Sequence, residues 1–328
     1  MVNDIKTVVV TGGAGFIGSN LVELLLEKGY VVKVVDNFSV GKRENLPTKH
    51  KNLLVFNDDV RDRKRMQVLF KDCDLVFHLA TQCVRKSIRD PWLVHDVNTS
   101  GVLSVLDAAL DNKVKRFVYV SSSEAYGSAE IVPMPESHPL NPTTIYGASK
   151  LTGELYSLAY MRTYGLPVVV IRPFNTYGYN EHFEGPYGEV IPRFVVRALN
   201  NLPLQVFGDG MQTRDFTFVT DTADGIFKAA TKGILGETYN IARGQEVNIV
   251  NLAKIVKKIT NTNVSIQHLP DRPGDVRRHS ANVLKAAIEF NFEAKIGILE
   301  GVKKYLDWFK ETMPNPKEAL KFYQQENW

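Results

Sequence analysis

Cysteine is nearly missing from this 328-residue chain: Cys73 and Cys83 are the only two, and neither forms a CxxC or sits in a histidine pairing. A disulfide framework and a metal centre are therefore not expected, and a reducing cytoplasm is. Long apolar runs are missing as well. The stretch Thr7–Thr11 is far too short to span a bilayer, and Met1–Lys6 is too polar for a secretory leader, so no membrane partner is expected. Blocks of like charge are also absent. The 40 basic and 36 acidic residues are interspersed and leave a net charge of +4, which gives no footprint for nucleic acid. No internal repeat or low-complexity tract is visible. At 44% hydrophobic and 23% charged, the chain has the make-up of a globular protein with one large or two modest cores.

What is present is a regular alternation of strands and helices. Val8–Val10 reads as a buried parallel strand, followed by a helix over Ser19–Lys28. Further strands are expected at Val31–Val35, Leu53–Phe56, Leu75–Leu79, Phe117–Val120 and Val168–Ile171. Long helices are expected from about Pro91 to Leu110 and over Ile145–Thr163. This pattern predicts an α/β protein with a doubly wound parallel sheet covered on both faces. After Asn175 the grain changes, with Gly, Pro and aromatic residues clustering between Tyr177 and Gly188. Helix 190–201 and strand Leu204–Phe207 follow. Residues 1–175 are expected to form the first domain, with 216–235 returning to it. Residues 176–215 and 236–328 are expected to form a smaller C-terminal α/β lobe, with a cleft between the two.

Gly12, Gly15 and Gly18 follow the first strand and open the first helix. The first glycine allows a tight turn, the second lets backbone approach a pyrophosphate, and the third brings helix close to strand. The helix N-terminus then offers free N–H groups and the positive end of its dipole. Asp36 ends the next strand, where a carboxylate can accept from both ribose hydroxyls of an adenosine. The same carboxylate disfavours a 2′-phosphate, so NAD is expected rather than NADP. Asp59-Val60, after strand three, is expected at the adenine edge.

Tyr146 and Lys150 are one helical turn apart in Tyr146-Gly147-Ala148-Ser149-Lys150, so phenol and ammonium share a face. A Lys⁺ so placed lowers the phenol pKa and makes Tyr146 a base for a sugar hydroxyl. Ser121-Ser122-Ser123-Glu124 follows the fifth strand, at the carboxyl end of the sheet where ligands lie.

The set Thr11–Gly18, Asp36-Asn37, His78-Leu79-Ala80, Ser121–Gly127, Tyr146–Lys150 and Arg172-Pro173-Phe174-Asn175 resembles the extended short-chain dehydrogenase/reductase superfamily. It is closest to nucleotide-sugar epimerases and dehydratases of the UDP-hexose 4-epimerase type. The resemblance covers nearly the whole chain and implies a Rossmann-type sheet that binds NAD and a lobe that binds a UDP-sugar. It implies that Tyr146 is the base, Lys150 anchors the nicotinamide ribose, and Ser122 shares the proton relay. It places the cofactor against Gly12, Gly15, Phe16, Ile17 and Gly18. Further cofactor positions are Asp36, Asn37, Ser39 and Gly41, then Asp59 and Val60, Leu79, Ala80 and Thr81, and finally Asn98 and Pro173. It places the substrate against Cys83, Ser122, Asn175, Val190, Gln205, Phe207, Arg214, Arg272, Asp275 and His279. Family members pair helices 98–112 and 145–164 across a homodimer, and Leu151, Leu155, Leu158 and Tyr160 supply an apolar stripe here.

The resemblance is specific for the family and less so for the reaction. Dehydratases of the family carry a carboxylate where Glu124 stands, often preceded by an Asp, and here that residue is Ser123, although some dehydratases and UDP-glucuronate decarboxylases carry the same Ser-Glu pair. The expected activity is therefore UDP-hexose 4-epimerisation, on UDP-glucose/UDP-galactose or their N-acetyl forms. The alternative is a 4,6-dehydratase or UDP-glucuronate-processing enzyme that uses Glu124. Arg85, near the pocket, is a candidate partner for a sugar carboxylate.

Overall fold

The computed structural model describes residues 5–271 and 276–323. Arg272 and Asp275 lie outside the described residues. Six strands follow the expected order: β1 (Thr7–Thr11), β2 (Val31–Asp36), β3 (Leu53–Asn57), β4 (Leu75–His78), β5 (Arg116–Val120) and β6 (Val168–Pro173). With a seventh strand, Thr238–Ile241, they form one parallel sheet in the order Thr238–Ile241, β6, β5, β4, β1, β2, β3.

The alternation of side chains along each strand decides what covers each face. Val8, Val10, Phe77, Val118 and Ile171 bury against helices Phe16–Glu27, Val219–Lys232 and Leu284–Phe290. Their chain neighbours Val9, Val76, Phe117, Tyr119 and Val170 bury against helices Arg63–Leu69, Gly101–Asp111 and Ile145–Tyr164. With both faces covered, the strands read as continuous apolar runs.

A second core fills the other lobe, built by helices Val190–Leu199, Ile249–Thr260 and Ile298–Thr312. Short strand pairs line its cleft side: Leu204–Phe207 with Ile266–Leu269, and Thr213–Asp215 with Glu246–Asn248.

The expected boundary at 236 is displaced. Tyr239 and Ile241 are fully buried in the sheet's own core, and Ala286 and Phe290 follow them there. Residues 238–241 and the helix 284–290 thus complete the first lobe. The expected helix from Pro91 to Leu110 is also not continuous. It divides into Pro91–His95, a π-helical turn at Asp96–Ser100 and Gly101–Asp111. Asp90 caps the first piece, accepting from Leu93 N at 3.1 Å. The wide π turn turns the buried Asn98 inward. Helices Arg63–Leu69 and Val84–Arg89 were not expected from the sequence pattern.

Candidate active site

The sheet reverses its winding between β1 and β4, and the loops at their carboxyl ends open onto a cleft of about 530 Å³. The glycine loop forms one wall. Gly12 has φ +68°, and a Cβ there would lie 2.6 Å from Ala80 N. A Cβ on Gly18 would lie 2.1 Å from Gly12 O. The loop is therefore a backbone cradle that side chains would fill. Phe16 and Ile17 line the cleft beside it, as do Leu79, Ala80 and Thr81 after β4.

Asp36 ends β2 at the rim, only 8% exposed. Its carboxylate oxygens accept from Ala14 N and Phe38 N, both at 2.9 Å, while burial raises its pKa. Gly41 packs against it, and Ser39 stands nearby in the same wall. Lys42 is turned away into an ion pair with Glu184 of the second lobe. Asn37 donates to Asp59 at 2.8 Å, and Arg61 forks onto the same carboxylate at 2.9 and 2.8 Å. Arg61 holds Asp59 down to about 2, so the expected adenine contact is in this structure a charge already paired. Val60 lies at the same rim.

The reacting groups come from three elements. Ser122 starts a short 3₁₀ turn after β5, and its Oγ accepts from Glu124 N at 3.2 Å. Tyr146 sits in the first turn of helix Ile145–Tyr164, which Thr144 caps by accepting from Gly147 N at 3.0 Å. Gly153 lets that helix press onto β5, and Gly147 lets it press onto the turn that follows. A Cβ at Gly147 would meet Glu124 O at 2.5 Å, and one at Gly153 would meet Tyr119 Oη at 2.1 Å. Tyr119 can therefore donate to Lys150 O at 3.2 Å.

Electrostatically the pair differs from expectation. Burial pushes the Tyr146 phenol up, the Ser122 hydrogen bond opposes that rise, and the Glu124 carboxylate adds to it. Lys150 is buried, donates Nζ to Val120 O at 2.7 Å and stands 4.8 Å over the Tyr119 ring. Burial brings its pKa down to about 7, and Glu154, one turn further on, resists the fall. In this structure Ser122, not Lys150, draws the phenol down.

Across the cleft stand Pro173 at the end of β6 and Asn175 after it, then Val190, Gln205, Phe207 and Arg214 of the second lobe. Gln205 accepts from Tyr323 Oη at 3.2 Å, and Arg214 Nη1 donates to Thr213 O at 2.8 Å and Val276 O at 2.6 Å. The Oδ1 of Asn175 is buried without a partner. An unsatisfied buried acceptor facing a cleft is costly unless a ligand meets it. Cys83 lines the cleft at the start of helix Val84–Arg89, its thiol raised by burial.

Two expected contacts are not in the cleft. Asn98 is 1% exposed; it donates to Gln82 O and Ser149 Oγ, each at 3.0 Å, and accepts from Gln82 N at 2.7 Å. It ties the loop after β4 to the Tyr146 helix. His279 is 2% exposed behind the serine loop, 5.0 Å from the Phe174 ring and bonded to the Ser123 backbone, with burial lowering it to about 4. Four charged residues that line the cleft were missed: Asp58, Glu181, Glu189 and Arg193. Glu181 lies in the aromatic, glycine-rich stretch whose change of grain was the only signal.

The profile of the NAD dependent epimerase/dehydratase family matches residues 8–242. The chain belongs to this family. A relative from Methanocaldococcus jannaschii, described as a putative UDP-glucose 4-epimerase, is 35% identical over 93% of this chain and 99% of its own. The crystal structure of a UDP-glucose 4-epimerase from Thermotoga maritima with UDP-glucose superposes with a TM-score of 0.89. It is 35% identical and covers 94% of this chain and 99% of that one. A UDP-N-acetylglucosamine 4-epimerase from Methanobrevibacter ruminantium, solved with UDP-N-acetylmuramic acid, gives 0.90 at 33% identity, over 94% and 99%. The enzyme is thus a nucleotide-sugar-transforming member of the family, NAD is its cofactor, and the glycine cradle fits it. Among the described residues no helix is long and apolar enough to cross a membrane.

Proposed function

We propose that the protein is an NAD-dependent UDP-hexose 4-epimerase, acting on UDP-glucose/UDP-galactose or their N-acetyl forms. The observation that carries this reading is that Tyr146 and Ser122 line the cleft together, with Ser122 acting to lower the phenol pKa, beside a Glu124 whose neighbour is the buried Ser123 and not a second carboxylic acid. Epimerisation needs one group that takes and returns a hydroxyl proton, and Tyr146 with Ser122 supplies it. Elimination of water needs an acid in addition to a base.

In this reading the sheet lobe holds NAD on the Gly12–Gly18 loop, Asp36 and Lys150. The second lobe holds the UDP group on Asn175, Gln205, Phe207 and Arg214. When bound, NAD takes up and returns the hydride at the sugar carbon. Tyr146 takes the hydroxyl proton and gives it back, and Ser122 keeps the phenol aligned and lowers its pKa. Arg214 supplies charge for the diphosphate. A second reading, an eliminating enzyme of the same family, rests on Glu124, whose carboxylate lines the cleft and acts on Tyr146.

We also propose a cytoplasmic homodimer. Cys73 and Cys83 are free thiols. Leu155 on helix Ile145–Tyr164 and Trp92 before helix Gly101–Asp111 are 56% and 77% exposed, apolar groups that a partner helix pair would cover.

Proton NMR of UDP-glucose and UDP-GlcNAc with the enzyme in D₂O tests the reaction. A 4-epimer that keeps all its carbon-bound hydrogens supports epimerisation. Deuterium at C5 with loss of water replaces it with the second reading.

A further inference from the structure

Arg85 and Glu189 approach each other from opposite sides of the cleft. Arg85 belongs to the helix Val84–Arg89 that follows β4, and Glu189 immediately precedes the helix Val190–Leu199 of the second lobe. Nη1 donates to Oε1 and Nη2 to Oε2, both at 2.7 Å, a two-pronged pairing that takes up both terminal nitrogens. The side chains are unequally exposed, Arg85 at 9% and Glu189 at 46%. The carboxylate therefore faces the open cleft, and the guanidinium lies behind it.

Charges of both signs surround the pair. Glu189 and Glu124 line the same cleft as Tyr146, and both carboxylates act to raise its pKa. Glu181 is buried beside Arg85, its Oε2 accepting from Gly178 N at 3.0 Å. Arg193, which also lines the cleft, bears on both Arg85 and Glu189, so the pair lies between a second guanidinium and the buried Glu181.

We propose that Glu189 is a specificity-determining residue: by occupying Arg85 it reserves the sugar end for uncharged hexoses and excludes sugars that carry a carboxylate. The inference rests on the reading of this cleft as a nucleotide-sugar site with Tyr146 at its sugar end. A uronate brought beside Tyr146 meets the carboxylate of Glu124, and to engage Arg85 it must displace the Glu189 carboxylate from both terminal nitrogens. A hydroxymethyl group meets no such repulsion and can donate to either carboxylate. Selection here comes from a repulsive element, which rejects the wrong ligand without a tight contact to the right one.

Equilibrium binding of UDP-glucose and UDP-glucuronate to the NAD-loaded enzyme tests this. The wild type is expected to bind UDP-glucose at least about tenfold more tightly, the scale set by like-charge juxtaposition. Glu189→Gln is expected to shrink that ratio by about tenfold or more. Because Arg85 could then turn to Glu181, Glu181→Gln/Glu189→Gln is measured as well, and its ratio is expected to fall at least as far. Each ratio is taken within one protein, so a general loss of folded enzyme cancels, and the wild-type ratio needs no variant. Wild-type affinities within about threefold of each other, or a ratio unchanged in both variants, overturn the proposal. Binding of UDP-glucose with an unchanged ratio rejects this inference alone. Binding of neither compound removes the nucleotide-sugar reading and the inference together.

Discussion

Glu154 and Arg172 form a buried ion pair one helical turn beyond Lys150. Arg172 Nη2 donates to Oε2 at 2.6 Å and Nε to Oε1 at 2.9 Å, with side chains 4% and 2% exposed. Ser121 Oγ donates to the same Oε1, while Lys150 holds the carbonyl of the adjacent Val120. Two successive residues at the end of β5 are therefore fastened to two successive turns of the helix that carries Tyr146.

Removing one member of this pair leaves an uncompensated buried charge. Glu154→Gln is expected to destabilise the fold by about 3–5 kcal/mol, measured by chemical denaturation. Glu154→Met/Arg172→Met, which removes both charges, should cost clearly less. A single variant no less stable than the double would show that the pair is not electrically isolated.

The same carboxylate supports the charge of Lys150. That charge is present below the pKa of about 7 and is lost as pH rises through it, and Glu154 acts to raise the value. Without Glu154 the loss occurs at lower pH. In the charge-free double variant, the alkaline limb of kcat/KM should therefore move to lower pH relative to wild type. An unmoved limb would mean that Lys150 does not control it.

Much of this site was legible in the chain because its parts are local. The Gly12–Gly18 loop, Asp36 at a strand end and the Tyr146–Lys150 spacing each follow from a few neighbouring residues and one element's periodicity. The pairing of Arg85 with Glu189 follows from no local pattern, because it depends on how the two lobes close on each other. The π turn that turns Asn98 inward is equally hidden, since a helical period running through Pro91–Leu110 does not reveal a single widened turn. The stretch that forms strand Thr238–Ile241 falls in the expected second lobe for a similar reason. Its four residues carry no directional signal, and only the open edge of β6 decides where they pair.

Ser122 and Glu124 push the Tyr146 phenol in opposite directions. Ser122→Ala removes the hydrogen bond that lowers it, so the acid limb of the pH profile should move to higher pH, with activity down by about 10²-fold or more near neutrality. Tyr146→Phe should lose at least as much at every pH. Equal activity in Tyr146→Phe and wild type would remove the phenol from the reaction.

Gly12 tests the cofactor cradle separately from the chemistry. Its φ of +68° disfavours any side chain, and a Cβ would strike the Ala80 backbone at 2.6 Å, which no rotamer relieves. Gly12→Ala should be purified with little bound NAD, read from absorbance after release, while circular dichroism still reports a folded sheet. Full NAD content in that variant would show that the loop does not approach the cofactor.

Glu124 separates the two reactions that the fold allows. Its carboxylate raises the Tyr146 pKa, so Glu124→Gln lets the phenol ionise at lower pH. If the enzyme epimerises, Glu124→Gln should keep activity within about tenfold, with its acid limb moved to lower pH, because no step needs a second base. If it eliminates water, the same change removes the base that takes the carbon-bound proton. Turnover should then fall by about 10²–10⁴-fold, with deuterium no longer entering at C5. The direction of the acid limb and the isotope content of the product read the two outcomes independently. A variant that loses all turnover yet still binds UDP-glucose would assign Glu124 to the chemistry and replace epimerisation as the reading.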